Sequence, residues 1–138
     1  MRYLRTAIAA SVLTVALVIP SIASAQLNTA QLGAKAQVAE DGFLVRAPVL
    51  VNCDVGFNIF VSLRVAKATG NRLNVGFNGA ASECTGADQT VIVEIPSSST
   101  IPWKPGKASA TGGLSVANPV TGELVQAPLG PQAIHLQK

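Results

Sequence analysis

Histidine occurs once, cysteine twice, tryptophan and tyrosine once each in these 138 residues, and charged residues make up only 12%. Each shortage excludes something. With His135 as the single histidine, close to the end of the sequence, a Ser-His-Asp arrangement would hang on a segment where chains commonly fray. Zinc or thiol chemistry needs further ligands at fixed spacing, and Cys53 and Cys84 have only Asp54 and Glu83 beside them. Nucleic-acid binding needs clustered positive charge to displace counterions, and Lys and Arg are scattered here. One long apolar run exists, Thr6 to Ile19, and at about 14 residues it is short of the roughly 20 that a membrane span requires.

That run is instead read as the core of an export signal. Arg2 and Arg5 precede it, Pro20 closes it, and Ala23-Ser24-Ala25 supplies the small-residue cleavage pattern. Residues 1–25 are therefore expected to be removed, with no membrane span left after cleavage. Taking 25 from 138 leaves 113 residues, one domain with enough chain to bury a real core. The formal charge of +3 falls to +1 without Arg2 and Arg5. An exported chain with two cysteines most simply joins them, and a Cys53–Cys84 disulfide is expected.

From residue 43 onward the apolar period is two. Phe43, Val45, Ala47, Val49, Val51 and Cys53 alternate with polar positions, as a half-buried strand does. Pro48 lacks an N–H, so this strand should lie at an edge, bulge or break. Phe57, Ile59, Val61, Leu63 and Val65 form the next strand, Thr69-Gly70-Asn71 a turn, and Leu73, Val75 and Phe77 a continuation of the odd apolar face, giving an antiparallel hairpin. Val91, Val93 and Ile95 make a short strand that stops at Pro96. A weak strand of small residues follows over Ala108, Ala110 and Leu114 to Ala117, broken by Gly112-Gly113; Asn118 to Gly122 is a turn that leads into Leu124 and Val125, and Ile134 with Leu136 supply a last short strand. Residues 26–33 read as a flexible lead-in, and residues 34–138 as one domain. No window outside the leader has a helical period. The expected fold is an all-β antiparallel sandwich of about seven strands, with a small barrel as the runner-up.

Several short stretches add a resemblance: Cys53-Asp54-Val55-Gly56, Val61 to Val65, Gly70-Asn71-Arg72, Glu83-Cys84-Thr85-Gly86, Gln89 to Val93 and Trp103 to Ala110. In these the chain resembles a group of small exported proteins, common in actinobacteria, with immunoglobulin-like β-sandwich folds and uncharacterised function. The resemblance runs from about Phe43 to Ala117 and implies the same fold. It supplies no catalytic residues. The chain departs from many of these relatives in having no cysteine after Cys84.

Chemistry is sparse. Gly113-Leu114-Ser115-Val116-Ala117 misses the nucleophile elbow, which needs a final Gly and a strand-to-helix turn. Glu40 and Asp41 adjoin, but Asp41-Gly42 is turn chemistry, and single carboxylates such as Asp54 and Asp88 fall short of a calcium cage. No enzyme, cofactor or metal is expected. Pro96 to Lys107 is the one suggestive segment, rich in Pro and carrying the single Trp of the mature chain. Ile101, Trp103, Lys104 and Lys107 are its candidate binding residues, with Trp103 either an exposed anchor or a plug over the end of the sandwich. Leucines 27, 32, 44 and 50 hint at an apolar patch. The functional expectation is a secreted, non-enzymatic binding or structural protein whose partner is an extracellular protein or a cell-envelope glycan. An enzyme inhibitor presenting Pro96 to Lys107 is the alternative, and a secreted hydrolase a weaker one.

Overall fold

The computed structural model describes residues 27–138. The expected signal over residues 1–25 lies outside them. Eight strands carry the fold: β1 Leu27–Leu32, β2 Lys35–Ala39, β3 Leu44–Cys53, β4 Asn58–Thr69, β5 Arg72–Glu83, β6 Gln89–Pro96, β7 Gly106–Ala117 and β8 Leu124–Gln137. A 3-10 turn at Glu40–Gly42 joins β2 to β3, and no α-helix occurs among the described residues. None of their helices is long and apolar enough to cross a membrane.

The sheet runs β1-β3-β2-β8-β7-β4-β5, with β6 on the other edge of β3. All pairings are antiparallel except β2 with β8. The ends of the sheet fold toward each other. Asn78 Nδ2 on β5 donates to the Glu94 carbonyl on β6 at 2.7 Å, and the Ser98 N–H donates to the Val75 carbonyl at 3.2 Å. Between the two halves lies an aliphatic core in which Val45, Val61, Leu63, Val65, Val93 and Ile95 are wholly buried. Each such side chain contributes roughly 1.5–3 kcal/mol on burial.

Three expectations need correction. The first is the lead-in, whose residues 27–32 form strand β1 along β3, with Leu32 only 2% exposed. An unpaired β3 edge and a leucine with a core to enter outweigh the polar composition. The second concerns the last strands: β7 runs through Gly112-Gly113 without the expected break, and the short strand expected at Ile134 and Leu136 is the far end of β8.

The third correction is the face of β5. Thr69 pairs with Arg72 across the two-residue turn Gly70-Asn71, so partners on β4 and β5 always join an odd number to an even one. Paired residues point to the same side of a sheet. Val65 inside therefore places Gly76 inside, and Leu73, Val75 and Phe77 face outward with Ala68, Ala66 and Arg64. Leu73 is 62% exposed and Phe77 65%.

Pro48 sits mid-strand without breaking β3. Its carbonyl accepts from the Gly33 N–H at 2.9 Å, on the edge where β1 has ended and β2 has not yet begun. A strand residue's nitrogen faces the same edge as its carbonyl, so the missing donor falls in that gap, and it is the partner strand that is interrupted. Gly33 has no side chain to meet the ring, whose Cγ would lie 2.7 Å from an added Cβ.

Cys53 at the end of β3 and Cys84 just after β5 form the expected disulfide, both buried. The bond ties together the two halves of the sheet where their chains diverge.

Candidate functional site

The loop from Pro96 to Gly106 is held down along its length. Asn74 on β5 is the one buried polar side chain among the described residues, 3% exposed. Its Nδ2 donates to the Ile101 carbonyl at 3.0 Å. Ser97 Oγ lies 2.8 Å from Asn74 Oδ1 and 2.7 Å from the same carbonyl, so its proton has two acceptors within reach. The Ser98 hydroxyl and N–H both reach the Val75 carbonyl. A buried amide leaves donors and acceptors that must be met, and the Ser97-Ser98-Ser99 run meets them.

This latch turns Trp103 inward. Its backbone N–H donates to the Gly42 carbonyl at 2.5 Å, and its side chain is 2% exposed against Gly76. Trp103 is a plug, which corrects the exposed-anchor reading. Its Nε1 finds no partner among the described residues, so the plug contributes through area rather than hydrogen bonding.

The other candidate residues do not converge. Ile101 is half-buried and its carbonyl is already engaged. Lys104 is exposed at a cleft of about 860 Å³, together with Glu40, Asp41 and Lys138. Glu40 there lies 3.9 Å from Arg46, which also pairs with Glu94 at 3.3 Å. Lys107 stands on the outward face of β7, opposite His135 on β8. Thus Trp103 fills the core, while Lys104 and Lys107 serve different surfaces.

The remaining motifs are placed as follows. Ser115 lies within β7, paired to Gln126, with strand on both sides rather than an elbow. Among the described residues no three His, Cys, Asp or Glu side chains gather closely enough to hold a metal. Leu27 and Leu32 pack on or in the core, and Leu50, 44% exposed, is on the outward face of β3.

A different surface emerges on the outward face of β5, β4, β7 and β8. Phe60 is 56% exposed there, so Phe60, Leu73 and Phe77 spend three large apolar side chains on water. Arg64 is the direct cross-strand partner of Phe77. Phe60 leans over Gly79, where an added Cβ would come within 3.4 Å of its Cζ. Across the sheet, Gly79, Ser62, Gly113 and Pro128 pair in sequence and make a row of small residues. Two shallow depressions open on this face. The first, about 410 Å³, is bordered by Phe60, Ser62, Gly113, Gln126 and Pro128. The second, about 510 Å³, is bordered by Ala66, Ala68, Leu73, Lys107, Pro131 and Ala133.

Sequence reasoning passed over this face because it assigned Leu73 and Phe77 to the core. The signal that finds it is the turn: a two-residue connection between Thr69 and Arg72 fixes which numbers share a side. No family model, no curated protein and no solved structure matches the chain.

Proposed function

We propose that this protein is an exported, non-enzymatic binding module of immunoglobulin-like form that engages an extracellular protein through the outward face of β5, β4, β7 and β8. The observation that carries the reading is the placement of Phe60, Phe77 and Leu73 together on that face, more than half exposed, in a chain with four phenylalanines. A core built mainly from Val, Ile, Leu and Ala, with Trp103 as its one fully buried aromatic among the described residues, leaves those side chains free. Phenylalanine is enriched at protein interfaces, and arginine is among the residues that concentrate binding energy there.

The immunoglobulin-like form is supported by the division into β1, β3 and β6 on one side and β8, β7, β4 and β5 on the other, with β2 pairing to both. Export is supported by the formed disulfide together with the leader pattern over residues 1–25. A protein suits the face better than a glycan, because no tryptophan or tyrosine is presented there for stacking on sugar rings. The inhibitor alternative has less behind it, since the loop it would present is latched to β5 and its largest side chain points inward.

The test is site-directed photo-crosslinking in cells that export the full-length protein. A photoreactive phenylalanine analogue replaces Phe77, or Ile92, which is 46% exposed on the opposite outward face. A discrete adduct formed from position 77 and not from position 92 is expected. Equal adducts from both positions, or none from position 77, would reject the reading.

A further inference from the structure

The two depressions on the outward face are separated by the row that carries Arg64. Along β4 the outward residues are Ser62, Arg64 and Ala66; Ser62 borders one depression and Ala66 the other. Four strand residues span about 13 Å at roughly 3.3 Å each. An extended peptide repeats its same-face side chains with the same rise, so positions i, i+2 and i+4 cover that distance too. The first and third would enter the depressions while the second stands over Arg64.

The charge on the face is positive on balance. Arg64 and Lys107 are its cations, and the one carboxylate among its outward positions is Glu83, the last residue of β5. Among the described residues Arg64 forms no ion pair; the pairs there are those of Arg46 with Glu40 and Glu94. Phe77 is the direct cross-strand partner of Arg64, so an apolar side chain stands beside the one cation between the two depressions.

Resting on the reading of this face as the interface, we propose that its partner segment is an extended acidic peptide of the pattern apolar–x–acid–x–apolar, with the acid on Arg64. The apolar residue at one end covers Ser62 and Gly113 beside Phe60. The one at the other end covers Ala66 and Ala133 beside Leu73. Gly113 keeps the first depression open, since the nearest atom to an added Cβ is the Ala127 carbonyl oxygen at 3.8 Å.

The experiment titrates full-length mature protein, residues 26 to 138, with two labelled peptides, Leu-Thr-Glu-Thr-Leu and Leu-Thr-Lys-Thr-Leu, followed by fluorescence polarisation. The native chain should bind the Glu peptide at least about tenfold more tightly, a difference of roughly 1.4 kcal/mol. Arg64→Glu should invert that preference, and Phe77→Ser should weaken both complexes. If both peptides bind alike and Arg64→Glu changes nothing while Phe77→Ser still weakens them, the acidic pattern is wrong and the face stands as an interface. If binding ignores Phe77→Ser as well, the face itself is wrong. Absence of binding by either peptide overturns the pattern, leaving the crosslinking at position 77 to judge the face.

Discussion

The indole of Trp103 packs against Gly76: a Cβ added there would stand 2.9 Å from the Trp103 Cζ2 and 2.7 Å from Ile95 Cγ2, and closer still to the Pro96 carbonyl. Gly76 is the point at which β5, β6 and the plug meet. It is a glycine for want of space, with no positive φ to demand one.

Gly76→Ala should therefore destabilise the protein by overpacking. The closest atom is backbone, which cannot rotate away, so a loss of about 1–3 kcal/mol is expected. Guanidinium unfolding followed through Trp103 emission measures it. An unchanged midpoint would mean that β5, β6 and the indole do not close on this position as tightly as described.

Asn74→Ala should free the loop. The substitution removes the amide donor to the Ile101 carbonyl and one of the two acceptors of Ser97, leaving that carbonyl with Ser97 Oγ alone, at a cost of about 0.5–1.5 kcal/mol. Amide hydrogen exchange should accelerate from Ser97 to Trp103 more than in β3. Uniform exchange across the chain would argue against a local latch.

Leu63→Ala and Leu73→Ala make a matched pair. Both positions are odd-numbered and lie on either side of one turn, yet Leu63 is wholly buried and Leu73 largely exposed. The first should cost about 2–5 kcal/mol. The second should stay within about 0.5 kcal/mol, as surface substitutions do. Equal costs would restore the odd face of β5 to the core.

Joint replacement of Cys53 and Cys84 by alanine should lower stability by about 3–4 kcal/mol, as expected for releasing a loop with a sequence separation of 31. Denaturant midpoints with and without the bond supply the test. Two free thiols in the native protein by non-reducing mass spectrometry would remove its premise.

Much of the fold was legible from local pattern. Val91, Val93 and Ile95 read as buried alternation because β6 has one face in the core and one in solvent, and Pro96 ended it as a residue without an N–H does. The Cys53–Cys84 pairing was legible because two cysteines allow only one intramolecular bond. β1 was not legible: its six residues are paired through backbone groups that any side chains permit, and only Leu32 is fully buried, with Leu27 and Ala30 packed on the margin of the core. The candidate loop was recognised as a loop, but its latch was not, because Asn74 and Ser97 are 23 positions apart and look like ordinary polar residues in isolation.

By itself the sequence determined the all-β class, the hairpin between β4 and β5, the disulfide and the scarcity of catalytic groups, since each depends on composition or on neighbours within a few residues. Tertiary structure decided which way the aromatics face. Trp103 went inward because Gly76 leaves a hollow for it, and Phe77 went outward because its partner Arg64 shares its side of the sheet. Strand register sets the side of every residue at once, and a shift of one position exchanges core for surface, so local hydrophobicity alone cannot choose between them.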